Sequence, residues 1–150
     1  MIFYPWILFI HITGVVIYVG GDILLNVLAF RASEKSNIEE FLSIANSASP
    51  VIGTGAILTI LGGVGLVLYS AAWSFLSFWI VAGLVMLVIA GTAESVYFKM
   101  KLKRISLLLS TQGPETPEIT TSLYRLVRVG AVINVLFIIV IWLMIFKPAF

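Results

Sequence analysis

The chain has 150 residues, 61% of them hydrophobic and only 11% charged, against about 25% charged in an ordinary soluble domain. That composition excludes a soluble domain, and the absence of cysteine excludes disulfides, thiolate metal sites and iron–sulfur clusters. The net charge of +2 says little as a total; its placement says more.

A hydrocarbon core about 30 Å thick is crossed by about 20 mostly apolar residues. Four stretches qualify, at about 5–30, 50–69, 73–100 and 124–146. The expected fold is all-α: a polytopic, antiparallel four-transmembrane-helix bundle forming one membrane domain over 1–150, with a short interfacial helix between helices 1 and 2.

Helix 1 opens on Tyr4-Pro5-Trp6, an aromatic belt with proline in the first turn, where its missing N–H is harmless. The run is too long for a secretory signal and has no basic segment ahead of it, so it reads as a mature helix. His11, Gly14, Tyr18, Gly21, Asp22 and Leu25 recur at spacings of three and four and form one stripe. Counted from Tyr4, His11 lies roughly 10 Å below the outer surface and Asp22 roughly 27 Å. The stripe therefore carries two polar sites, one in each leaflet.

Between helices 1 and 2, Ile38, Phe41, Leu42 and Ala45 share one face, the pattern of a short interfacial helix with Asn37 as N-cap and Glu40 completing a capping box. Helix 2 contains Gly53, Gly55, Ala56, Gly62, Gly63 and Gly65. Small residues permit close helix packing in lipid, and they also clear space for a flat cofactor; both readings stand. Helix 3 continues beyond the bilayer until Gln112-Gly113-Pro114 stops it. Helix 4 ends in Trp142-Leu143-Met144-Ile145-Phe146-Lys147-Pro148, an aromatic and cationic anchor.

Arg31, Lys35, Lys99, Lys101, Lys103, Arg104, Arg125 and Arg128 fall on one side of the membrane, and Lys147 alone on the other. The positive-inside rule puts the polar loops 31–49 and 101–123 in the cytoplasm of a plasma membrane and both termini outside.

Ionisable groups inside a spanning helix cost roughly 2.5–3.5 kcal/mol and seldom lack a partner or a task. Asp22, Asn26, Glu94, Arg125 and Arg128 are expected to gather in the inner leaflet. There they would form an ion network locking three helices, a proton path, or an arginine cluster for propionate or phosphate. His11 is the single histidine, with Tyr18 two turns away as a candidate hydrogen-bond partner. Gly14, one turn on, removes bulk beside the imidazole, as an axial haem ligand requires. Met86 or Met144 is the candidate second ligand, unless another subunit supplies it or the position stays open. One histidine with scattered methionines makes a thin copper site.

His11-Ile-Thr-Gly14-Val-Val-Ile-Tyr18-Val-Gly20-Gly21 resembles the first-helix signature of the copper-resistance-D/HemJ-like superfamily, in particular a four-helix bacterial branch of predicted integral membrane proteins. Members of that branch similarly end in a Trp-Leu-Met-hydrophobic-x-Lys-Pro segment, here Trp142 to Pro148. The resemblance implies a haem pocket with His11 as ligand. The lysine that HemJ-like members carry inside a later helix has no counterpart here, since Lys99 is already interfacial, and protoporphyrinogen oxidation is not carried over. Copper transport is not carried over either, because copper-resistance-D members have more helices and ligands.

The leading functional expectation is a membrane protein binding haem b and passing electrons between a quinol or partner subunit and an acceptor. The alternatives are a non-catalytic accessory subunit of a larger membrane complex and a small proton-coupled transporter using Asp22 and Glu94. The expected partners are the lipid bilayer and a homo-oligomer or larger assembly, with no nucleic acid. The residues do not decide whether the protein is an enzyme.

Overall fold

The computed structural model describes residues 2–35, 37–70 and 74–147, and their side chains except those of Lys35, Glu94 and Ser95. In lipid, long apolar runs can satisfy their backbone polar groups only as helices. Accordingly α1 (Tyr4–Lys35) and α2 (Ile38–Tyr69) form one hairpin. α3 (Phe78–Thr92) runs through a π-helical turn (Ala93–Phe98) into α4 (Lys99–Gln112), and α5 (Pro117–Phe146) returns. These make four rods long and apolar enough to cross a membrane. α1 packs along α2 and α5, and α3 packs on α5, whereas the consecutive helices α2 and α3 barely approach one another. That α2–α3 seam positions both cavities described below.

Rods of 30–35 residues are about 45–53 Å long, well beyond the roughly 30 Å of hydrocarbon. The excess gathers at the end carrying the basic residues, and it is folded rather than loose. Ala29 and Ala32 of α1, Phe41 and Ala45 of α2, Ile105 of α4, and Leu123 of α5 pack there as a buried apolar core. Outside lipid such burial is driven by water, at about 1.5–3 kcal/mol for a large aliphatic or aromatic side chain. Tyr18, Ile52, Met86, Ala90, Ile133 and Phe137 form a second core deeper in the bundle. There lipid is as apolar as the side chains, so shape complementarity replaces the hydrophobic drive.

Several boundaries differ from the sequence expectation. The segment after helix 1 is not a separate interfacial helix: α2 continues through Pro50, and residues 38–45 are its first turns, held by the basic-end core. Tertiary contact on both sides of Pro50 outweighs the one lost backbone hydrogen bond. Asn37 occupies the cap position, but its side chain makes no capping hydrogen bond. The expected start of helix 3 at Trp73 lies outside the described residues. α3 begins at Phe78, because Ser74 to Ser77 form a turn in which the Ser74 hydroxyl accepts the Leu76 N–H at 3.2 Å.

α4 stops at Gln112, as expected, with Gly113 at a φ of 85° open to few other residues. α5 then starts at Pro117, well before the expected 124, with Thr116 as N-cap residue and proline in the first turn. The regions read as loops at 31–49 and 101–123 are thus mostly helix.

Candidate functional site

The α1–α2 crossing is built from missing side chains. A Cβ on Gly14 would stand 2.5 Å from the Thr59 backbone nitrogen and 2.9 Å from the Gly55 carbonyl oxygen. One on Gly62 would stand 2.7 Å from the His11 Cα. Gly55, Thr59 and Gly63, spaced by four, form the small-residue stripe that allows this approach. Gly14 therefore faces the α2 backbone, and the room it leaves is taken by that helix.

Close approach decides how His11 is held. Its Nδ1 lies 2.8 Å from the Thr59 carbonyl oxygen. A carbonyl only accepts, so Nδ1 carries the proton and donates, and Nε2 keeps its lone pair in the neutral ring. The partner is thus Thr59, not Tyr18. Tyr18 is 1% exposed and packs edge-to-face on Phe137 at 5.2 Å. Thr59 carries no signal beyond its place between Gly55 and Gly63 in a period of four.

A cavity of about 210 Å³ opens beside His11 toward α3 and α5, at the end of the bundle that carries the termini. Met144, Gly63, Gly83, Phe75 and Trp79 line it with Lys147 at its edge. The Lys147 ammonium stands 5.6 Å from the centre of the Trp79 ring, a cation–π distance. A Cβ on Gly83 would lie 2.9 Å from the Met144 methyl. Of the two candidate methionines, Met144 shares this cavity with His11, and Met86 is buried in the core beside Tyr18. Among the described residues no three His, Asp or Glu side chains gather as a metal cage.

The second polar site lies nearer the basic end. Asp22 is 6% exposed, and its Oδ2 has no hydrogen-bond partner among the described residues. It lines a cavity of about 320 Å³ together with Tyr18, Asn26, Ser49, Phe98 and Lys99. Asn26 also reaches across to α5. With its amide turned to suit its neighbours it donates to the Val127 carbonyl at 3.2 Å, and it accepts from the Ala131 N–H at 2.9 Å and the Asn134 amide at 3.3 Å. Gly130 makes room for that clamp, since a Cβ there would lie 3.0 Å from the Asn26 amide.

Of the expected ion cluster, the described residues show only part. Asp22 and Asn26 come together; the Glu94 side chain lies outside the described residues; Arg125 and Arg128 lie exposed on α5 and form no ion pair with Asp22. The reason is helical phase. The buried stripe of α5 runs through Leu126, Gly130, Ile133 and Phe137, and positions 125 and 128 fall off it. The ion pair present among the described residues is Arg104 with Glu118, on the surface between α4 and α5. Ser49, Gly130 and Asn134 were not singled out by sequence reasoning, and Lys99, set aside there as interfacial, lines the Asp22 cavity. Only Gly130 and Asn134 left a trace in the sequence, a small and a polar residue one turn apart in an apolar helix.

A family model described as predicted integral membrane protein (DUF2269) matches residues 5–148. No curated protein and no solved structure matches the chain.

Proposed function

The chain belongs to this family of predicted integral membrane proteins, and from that premise we propose that it is a membrane redox protein binding b-type haem through His11. The observation that carries the reading is the pinned imidazole. Nδ1 is committed to the Thr59 carbonyl, and Nε2 is left as a donor atom beside a membrane cavity. Metal-ligating histidines characteristically hold their other ring nitrogen in this way. The first-helix likeness to the copper-resistance-D/HemJ-like superfamily supports the same residue.

Within this reading Met144 would help His11 hold the haem, because it shares the cavity with His11 and Met86 does not. Gly63 and Gly83 leave room for the His11 ring and the Met144 methyl, and Phe75 and Trp79 add aromatic lining. Lys147 at the edge suits an anionic propionate. The bound group would supply one-electron chemistry. At about 210 Å³ the cavity is smaller than the roughly 300 Å³ at which small-molecule pockets begin. The reading therefore requires the α2–α3 seam to widen around a macrocycle. The basic end faces the cytoplasm of a bacterial plasma membrane, and the His11 cavity lies in the outer leaflet.

The deciding experiment is an absorption spectrum of the protein purified in mild detergent, oxidised and then reduced with dithionite. A Soret band with sharp reduced α and β bands is expected, lost in His11→Ala and shifted in Met144→Leu. A colourless preparation from haem-replete cells overturns the proposal. The open α2–α3 seam favours a second reading in that case: an accessory subunit whose partner supplies a helix to fill it.

A further inference from the structure

The basic-end cavity holds a feature that the haem reading leaves unused. Asp22 is buried against membrane, its Oδ2 is without a partner among the described residues, and it lines a cavity of about 320 Å³. A buried acceptor in hydrocarbon is costly unless a donor reaches it. Asn26 is occupied by α5, and the two arginines that sequence reasoning brought to Asp22 lie exposed elsewhere. Among the described residues no donor reaches Asp22 Oδ2, and a molecule entering the cavity can supply one.

The lining states what that molecule looks like. Asp22 offers an acceptor, and Lys99 lines the same cavity and offers a donor. Between them the walls are apolar and aromatic, with Tyr18, Phe41 and Phe98. The volume falls within the roughly 300–1,000 Å³ of small-molecule pockets. The cavity runs along the seam where α2 and α3 barely touch, and it adjoins the His11 cavity at Ile60 and Leu87, which line both. A free ammonium ligand would meet Asp22 but also the like charge of Lys99. A neutral ring bearing two oxygens satisfies both groups.

We propose that this cavity binds a membrane-resident hydroquinone, a flat dihydroxylated ring on an apolar tail. One hydroxyl donates to Asp22, the other oxygen accepts from Lys99, and the tail leaves through the α2–α3 seam. The site stands independently of haem at His11; if both are occupied, donor and acceptor groups lie in adjoining cavities of one helix bundle.

The test is equilibrium binding of decyl hydroquinone, kept reduced, to the full chain in lipid nanodiscs, with empty nanodiscs and decylbenzene as controls. Saturable binding is expected for the wild type and not for decylbenzene. Asp22→Leu and Lys99→Leu should each weaken it at least tenfold. Gly53→Phe should abolish it by filling the cavity, since Gly53 lines that space and nothing lies within 4 Å of its would-be Cβ. His11→Ala should bind as the wild type does, so failure here and failure of the haem reading are separately visible. Wild-type uptake no greater than that of empty nanodiscs overturns the proposal. So does equal binding of decylbenzene, or undiminished binding by both Asp22→Leu and Gly53→Phe.

Discussion

Gly14 and Gly20 stand on the same helix in opposite circumstances. A Cβ at Gly14 meets the α2 backbone at 2.5 Å, whereas one at Gly20 meets nothing within 4 Å. Backbone cannot rotate aside as a side chain can, so Gly14→Ala must push α1 and α2 apart. Such overpacking costs typically about 1–3 kcal/mol. Gly20→Ala instead removes a flexible residue from a helix interior and should gain roughly 0.5–1 kcal/mol. Thermal unfolding in detergent should therefore move in opposite directions for the two variants; equal shifts would contradict the close crossing. The sequence contains both glycines in one motif and does not distinguish them. The same holds at His11: the stripe on α1 puts Tyr18 on its face, while the hydrogen bond goes to a carbonyl on another helix. A periodic pattern reports which residues share a face, not what stands opposite.

At the scale of elements, the basic ends of the rods behave as a small water-driven core. Ile105 is 0% exposed there although it sits in the most polar helix, between Arg104 and Ser106. Ile105→Ala should cost about 2–5 kcal/mol, the range for a large aliphatic truncated in a packed core. Val135→Ala, on the exposed face of α5, should change stability by less than about 0.5 kcal/mol. Titration with sodium dodecyl sulfate followed by circular dichroism reads both, and a small loss for Ile105→Ala would mean that the extensions are not jointly folded. The apolar face of residues 38–45 was legible as an amphipathic pattern. Its docking partner was not, because an interfacial helix and the first turns of a longer one present the same periodicity. By contrast the Arg104–Glu118 pair is exposed on both sides, and such pairs contribute about 0–1 kcal/mol.

At the scale of the whole molecule, charge asymmetry and helix count combine into a topology that labelling can test. The chain has no cysteine, so single cysteines report cleanly. Ser74→Cys lies in the turn before α3 and Ser110→Cys near the end of α4, both exposed and at opposite ends of the bundle. On intact cells a membrane-impermeant maleimide should label Ser74→Cys and leave Ser110→Cys unmodified until the membrane is opened; the reverse pattern would invert the proposed orientation. What the sequence by itself determined is what depends on one segment at a time. Four apolar runs dictate four helices, because a backbone in lipid has no other way to pair its polar groups, and the cations gather at one end by their order along the chain. What only the tertiary structure decided depends on which surfaces meet. It set the continuity of α2 through Pro50, the pinning of His11 by Thr59, the phase that leaves Arg125 and Arg128 outside, and the unfilled seam between α2 and α3. Lipid solvates every apolar face equally well, so hydropathy cannot choose among faces, and steric fit between small residues makes the choice.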